Sequence, residues 1–218
     1  MVGRQPAYPP HLHLEIPPVA VNTVLAGTAP ASAAPASTTE TVELPVAPTE
    51  VRALAAVQRG IATGPVVATA RGMSLFGEHA AGWLAVGLLG AFVDRRRRRD
   101  WVTATAGVAL AHGASIAVKR VVRRPRPTDP RVQVLVGTPS RLSFPSAHAT
   151  STTAAAMLYG RLLGRRLTPA LVPPMALSRL VLGVHYPTDV AAGAALGAAV
   201  AAATPRVARR LLPKRFSR

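Results

Sequence analysis

One stretch near the C-terminus combines an arginine, a histidine and an aspartate. It reads "SRLVLGVHYPTD" at residues 178–189, with Arg179 near its start, His185 in its second half and Asp189 at its end. A guanidinium group binds anionic oxygens, while an imidazole and a carboxylate can act as acid, base or nucleophile. The stretch therefore offers both a cation for an anionic substrate and groups for chemistry on it.

Two earlier stretches add groups of the same kinds. "KRVVRRPRP" at 119–127 separates Lys119 from Arg126 by six residues, and "PSAH" at 145–148 ends on His148. A phosphomonoester carries about two negative charges near pH 7, and a nucleophile is repelled until fixed donors spread that charge. Two histidines, three cationic side chains, a serine and an aspartate together predict a phosphate site with its own acid and base.

The elements that carry these stretches are apolar. Of the 218 residues, 49% are hydrophobic but only 4% are aromatic, which favours helices packed through small side chains. Five apolar runs have nearly the ~20 residues needed to span a membrane. They are residues 75–93, 101–118, 146–164, 167–183 and 187–203. The sequence predicts an all-α, polytopic membrane helical bundle, with the interrupted stretch 51–70 as either an interfacial helix or a sixth span.

The remaining segments differ in composition from the membrane domain, predicted over residues 51–204. Residues 1–50 are rich in Pro, Ala, Ser and Thr without a period, which predicts disorder. Residues 205–218 form a basic segment, predicted to be a cytoplasmic tail. The chain has no cysteine, so disulfides and thiolate metal sites are excluded.

The basic clusters predict the orientation in the membrane. Residues 95–99, residues 164–166 and the C-terminus follow the first, third and fifth spans, so they share one side, which the positive-inside rule makes cytoplasmic. The three polar stretches then lie together on the outer side. The basic stretch at 119–127 breaks the rule there, and an anionic ligand explains why it does.

A formal charge of +17 also fits other classes of protein. A nucleic-acid-binding protein is disfavoured by the apolar spans and by the lack of aromatic residues among the basic ones, so nucleic acid is not an expected partner. A basic membrane scaffold is disfavoured because all the polar site residues are present. Membrane lipids and a lipid-linked phosphorylated substrate are the expected partners, and the oligomeric state stays open.

The three stretches resemble the motifs of the type 2 phosphatidic acid phosphatase family of membrane lipid phosphatases. Those motifs are Lys, six residues, Arg-Pro; Pro-Ser-Gly-His; and Ser-Arg, five residues, His, three residues, Asp. The resemblance covers about residues 75–204. The one departure is Ala147 in place of glycine. The family uses the backbone N–H there, and alanine keeps that donor provided that its φ is negative.

The resemblance implies a role for each matching residue. Phosphate binding is implied for Lys119, Arg126, Ser146, the backbone of Ala147, and Arg179. His185 would be the nucleophile that forms a phosphohistidine, and Asp189 would stabilise the cation formed on attack. His148 would protonate the leaving group and then activate water, with no metal or other cofactor. The lipid is left open among a polyprenyl-linked sugar phosphate, a polyprenyl diphosphate and phosphatidylglycerol phosphate.

Overall fold

The computed structural model describes residues 47–211, and this part of the chain is helical. Outside the helices, its only pairing of strand type is an isolated bridge between Pro125 and Leu142. The helices are α1 (Pro48–Ile61), α2 (Gly64–Gly77), α3 (Ala81–Val93), α4 (Arg98–Val122), α5 (Ala147–Leu163), α6 (Thr168–Val181) and α7 (Pro187–Leu211). The predicted all-α fold is confirmed.

The helix ends differ from the predicted segment boundaries. α1 already begins at Pro48, since proline at the first helical position lacks only an N–H that would have no partner in the helix. Residues 48–50, placed in the predicted disordered segment, are therefore helical. α7 continues past Pro205 to Leu211, into the predicted tail. Residues 1–46 and 212–218 of those two segments lie outside the described residues.

Three helical segments are long and apolar enough to cross a membrane. They are Gly64–Val93, Arg95–Val122 and Pro187–Arg210, with 30, 28 and 24 residues. Two other predicted spans correspond to α5 and α6, which have 17 and 14 residues. The bundle is that of a membrane protein, and the number of five or six spans stays a prediction.

The first of these segments is broken where the sequence predicts a continuous span. α2 ends at Gly77, and a short 3-10 turn, Glu78–Ala80, separates it from α3. His79 and Ala80 have positive φ values of 51° and 60°, which a continuous helix cannot contain. The rings of Phe76 and Trp83 pack edge to face across the break, with centroids 4.8 Å apart. The chain therefore kinks between α2 and α3.

The bundle packs around α5 and exposes apolar residues at its outer surface. α5 packs against α4, α6 and α7, and most of its residues are buried. Large apolar side chains elsewhere are open, including Leu89 (60% exposed), Phe92 (63%) and Leu110 (66%). In water such exposure would favour association, whereas hydrocarbon accepts it without cost.

The basic clusters and the three polar stretches lie at opposite ends of the bundle. Arg97, just before α4, donates through Nη1 to the carbonyl of Leu162 at the end of α5, at 2.5 Å. Gly107 in the first half of α4 packs against Thr204 near the end of α7. The residue 95–99 cluster, the end of α5 and the end of α7 therefore share one end.

Candidate active site

The loop after α4 folds back beside the end of that helix. Arg123 adopts a left-handed conformation (φ 53°) and ends the helix. The N–H of Ser143 then donates to the carbonyl of Arg124 at 2.8 Å, and that of Arg126 to the carbonyl of Arg141 at 3.2 Å. This pairing brings the stretch at 119–127 next to "PSAH".

The second and third stretches are joined through their backbones. The N–H of Ser146 donates to the carbonyl of Asp189 at 2.9 Å. A Cβ at Gly193 would lie 2.5 Å from the Ser146 carbonyl oxygen, and one at Gly197 would overlap the carbonyl of Thr150. These glycines let α5 and α7 approach closely enough to fix the two stretches against each other.

Lys119 and Arg179 are buried cations. The Lys119 ammonium donates to the carbonyls of Leu142 and Ser143, at 3.2 and 3.0 Å, which leaves its third hydrogen available. Arg179 is only 1% exposed, and its Nε and Nη1 have no hydrogen-bond partner among the described residues. A buried guanidinium without partners is costly, so these donors indicate the place of an anion.

Arg126 defines the tautomer of His185. Its Nη1 donates to the carbonyl of Val184 at 2.6 Å and lies 3.2 Å from Nε2 of His185. A guanidinium has only donors, so Nε2 must accept and the imidazole proton must be on Nδ1. Burial, reinforced by the charges of Arg126 and Lys119, holds the pKa of His185 well below its ordinary value. His185 therefore presents an unprotonated Nε2 at neutral pH.

Asp189 lies beside the other nitrogen of the same ring. Its Oδ2 is 3.5 Å from His185 Nδ1, which makes no hydrogen bond among the described residues. Oδ2 accepts from the N–H of Tyr186, and Oδ1 accepts from Nη1 of Arg124, each at 2.8 Å. The structure thus brings the predicted pair together, with the strongest bonds of the carboxylate made to other groups.

The start of α5 presents backbone donors. The Ser146 hydroxyl caps the helix, accepting from the N–H of Ala149 at 3.4 Å. Ala147 is the first helical residue, and its N–H is one of those that α-helical bonding leaves free. Positive φ values among the described non-glycine residues occur at His79, Ala80 and Arg123. The φ of Ala147 is therefore negative, which meets the condition under which alanine can replace the glycine of the family motif.

His148 lies on the next position of α5 and contacts α2. Its Nε2 donates to the carbonyl of Ser74 at 2.9 Å. A Cβ at Gly77 would lie 2.6 Å from Cδ2 of the same ring, so the last turn of α2 packs directly on it. Gly77, at the start of the first predicted span, and Ser74, just before that span, therefore lie against His148.

This geometry agrees with a family comparison. The model of the PAP2 superfamily matches residues 100–212, which is more than half of the chain and includes all three stretches. The chain belongs to the PAP2 superfamily. The family resemblance predicted from the sequence is confirmed.

Individual PAP2 relatives are similar over most of their length. The decaprenylphosphoryl-5-phosphoribose phosphatase of Mycobacterium tuberculosis is 59% identical over 154 residues, 70% of this chain and 87% of the relative. The decaprenylphosphoryl-5-phosphoribose phosphatase of Mycolicibacterium smegmatis is 60% identical over 141 residues, which is 64% of this chain and 78% of the relative. A crystal structure of a PAP2-type phosphatidylglycerolphosphate phosphatase from Bacillus subtilis has a TM-score of 0.62 and 20% identity, and covers 78% of this chain and 90% of its own.

Two charged residues of this PAP2 site were missed by the sequence analysis. Arg124 is 2% exposed and binds both Asp189 and Glu50. Arg124 lies within "KRVVRRPRP", but nothing in its spacing separates it from its exposed neighbours Arg120 and Arg123. Glu50 lies far away in the sequence, at the edge of the segment predicted as disordered, and only the tertiary fold brings it to the site.

Proposed function

We propose that this membrane phosphatase removes phosphate from a lipid-linked phosphomonoester through a phosphohistidine on His185. The observation that carries the proposal is the unprotonated Nε2 of His185 beside buried cations with free donors. Nε2 lies 3.2 Å from Nη1 of Arg126, and the unpartnered Arg179 is close enough that its charge lowers the pKa of His185. A phosphate bound by these cations presents its phosphorus to the nitrogen lone pair.

In the first step, the phosphate oxygens are held by Lys119, Arg126, Arg179, the Ser146 hydroxyl and the N–H of Ala147. Nε2 of His185 attacks phosphorus as the bond to the leaving oxygen breaks. The imidazolium form of His148 gives its Nε2 proton to that oxygen and becomes neutral, and the alcohol leaves. Asp189 stabilises the positive charge that develops on the ring of His185.

In the second step, water replaces the alcohol. His148, now neutral, takes a proton from the water as the water oxygen attacks phosphorus, and so returns to the imidazolium form. The bond between phosphorus and Nε2 breaks, inorganic phosphate leaves, and both histidines return to their starting states.

We further propose that the reaction needs no metal ion. Lys119, Arg126 and Arg179 neutralise the phosphate charge that magnesium neutralises in other phosphoryl-transfer enzymes. Arg126 suits this role because burial lowers its pKa only to about 10, which keeps it charged at neutral pH. The donors that converge on His185 are cations, and within residues 47–211 no group of three or more histidine or acidic side chains is arranged so that it could hold a metal ion.

The proposed substrate is decaprenylphosphoryl-5-phosphoribose. It rests on the similarity to the two mycobacterial decaprenylphosphoryl-5-phosphoribose phosphatases, which are 59% and 60% identical to this chain. The product would be decaprenylphosphoryl ribose, a precursor of the arabinose donor for cell-wall arabinan. The alternatives are a polyprenyl diphosphate and phosphatidylglycerol phosphate, and the site is proposed to face the outer side of the cell membrane.

The deciding experiment is phosphate release by the purified protein in detergent, with these three lipids compared at equal concentration. We expect the highest kcat/KM on decaprenylphosphoryl-5-phosphoribose, with no loss of rate in EDTA. A preference for either alternative lipid would overturn the substrate assignment alone. Activity that disappears in EDTA and returns only with magnesium would overturn the metal-free mechanism.

A further inference from the structure

A buried arginine links α1 to the aspartate of the third stretch. Nη1 of Arg124 donates to Oδ1 of Asp189 at 2.8 Å and to the hydroxyl of Thr188 at 2.7 Å. Its Nη2 donates to Oε2 of Glu50 at 2.5 Å. The guanidinium carbon lies 4.3 Å from the centre of the Tyr186 ring. These contacts together fix the orientation of the Arg124 guanidinium.

The carboxylate of Glu50 also makes several hydrogen bonds. Its Oε1 accepts from the hydroxyl of Thr188 at 2.6 Å and from the N–H of Thr188 at 3.2 Å. Burial acts to raise the pKa of Glu50, but hydrogen bonds from Thr188 and Arg124 outweigh it and lower the pKa. Glu50 is therefore ionised at neutral pH, and the group of Glu50, Arg124 and Asp189 carries one net negative charge.

That net charge matters because the other charges around His185 are positive. Lys119, Arg126 and Arg179 all act to keep the His185 ring neutral. Arg124 alone would cancel the charge of Asp189 and leave nothing to stabilise the cation formed when His185 attacks. With Glu50 beside Arg124, the positive charge of the guanidinium is balanced by Glu50, and the carboxylate of Asp189 lies 3.5 Å from Nδ1 of His185.

We propose that Glu50 and Arg124 are positioning residues for the phosphatase reaction. Arg124 fixes the Asp189 carboxylate by occupying Oδ1, which leaves Oδ2 toward His185, and Glu50 fixes and neutralises Arg124. The inference rests on the proposed function, in which Asp189 assists His185. It makes α1 part of the active site, although α1 lies outside the three motif stretches.

The test is a double-mutant comparison of phosphate release. Glu50→Gln keeps the shape of the side chain and removes its charge, and we expect kcat to fall about tenfold, the typical effect of a lost hydrogen bond between charged groups. KM should change little, because Glu50 does not contact the phosphate. Arg52→Gln, at an exposed position of α1, is the matched control and should leave kcat unchanged.

Measuring the effect of Glu50→Gln in the Asp189→Asn variant distinguishes a positioning role of Glu50 from an effect on protein stability. If Glu50 acts through Asp189, Glu50→Gln should reduce the residual activity of Asp189→Asn by less than about twofold. The same tenfold loss in both backgrounds, or no loss in the wild-type background, would overturn the inference. Wild-type activity of Asp189→Asn itself would instead overturn the proposed role of Asp189.

A packing variant of α1 tests whether a loss of activity comes only from destabilisation of the fold. Val51 is a buried residue of α1 that makes no polar contact with the site, so Val51→Ala loosens α1 without changing its charges. We expect Glu50→Gln to lose more activity than Val51→Ala at equal thermal stability in detergent. Equal losses at equal stability would show that α1 only supports the fold, and would overturn the inference.

Discussion

His148 donates a hydrogen bond of 2.9 Å from Nε2 to the backbone carbonyl of Ser74. A carbonyl only accepts, so this nitrogen carries a proton before any substrate binds. Under the proposed roles, a leaving oxygen that takes the proton must replace the carbonyl as its partner. The last turn of α2, just before the break in the first span, therefore contacts the side chain for which the role of acid is proposed.

The two histidines should give opposite phenotypes when they are replaced. His185→Ala removes the nucleophile, so turnover should fall by several powers of ten, at ~1.4 kcal/mol of barrier for each tenfold. No phosphoenzyme should then be trapped. His148→Ala keeps the nucleophile but lacks the base for the second step, so phosphohistidine should accumulate when p-nitrophenyl phosphate, whose leaving group needs no proton, is the substrate.

Rapid acid quench followed by detection of phosphohistidine measures both outcomes. His112, on α4 and outside the three motif stretches, offers a matched control as His112→Ala. A phosphoenzyme in His185→Ala, together with its absence in His148→Ala, would reverse the two assignments.

The backbone donor at Ala147 can be removed without a change of side-chain chemistry. Proline is accepted at the first position of a helix, and Ser146 before it has the extended conformation (ψ 109°) that a following proline requires. Ala147→Pro should therefore fold while losing the N–H, and its kcat/KM should fall about tenfold or more. Ala147→Gly restores the usual family residue and should keep wild-type activity. Full activity of the proline variant would exclude this N–H from catalysis.

The pH dependence of kcat/KM should report the lowered pKa of His185. Attack needs the neutral ring, and a pKa well below the ordinary value keeps it neutral to lower pH. His185 should therefore cause no loss of rate as the pH falls through about 6.5, the ordinary histidine pKa. Arg126→Gln removes a cation, so it should raise the pKa of His185. The decrease in kcat/KM at low pH (the acid limb of the profile) should then begin at a higher pH.

The substrate also titrates, with a second pKa of about 6, but this contribution is the same for every variant. Arg120→Gln, at an exposed position of α4, is the control and should leave the limb in place. A low-pH decrease in kcat/KM that is the same in Arg126→Gln as in the wild type and Arg120→Gln would contradict the prediction.

The orientation of the bundle can be measured with single cysteines, since the chain has none of its own. Arg96 is exposed in the basic cluster at 95–99, and a side chain at Gly137 would meet no atom within 4 Å. In intact cells, a membrane-impermeant maleimide should label Gly137→Cys and label Arg96→Cys only after permeabilisation. Labelling of both without permeabilisation would contradict the predicted topology.

The motif residues could be predicted from short spacings in the sequence, whereas residues that reach the site through tertiary contacts could not. Lys119, Arg126 and His185 stand at recognisable intervals, and apolar runs of membrane length predict the bundle that brings them together. The 3-10 turn at Glu78–Ala80 has no glycine or proline within it to mark a break. Glu50 reaches the site only because α1 packs on the bundle, which no local pattern reveals.

The close contact of α5 with α7 also sets a condition for protein engineering. Gly193 and Gly197 lie against the carbonyls of Ser146 and Thr150, and any side chain there would push the two backbones apart. A transplant of the three polar stretches onto another helical bundle would therefore fail without these glycines. The smallest set of residues needed to rebuild this site in another protein therefore includes two glycines, which carry no functional group.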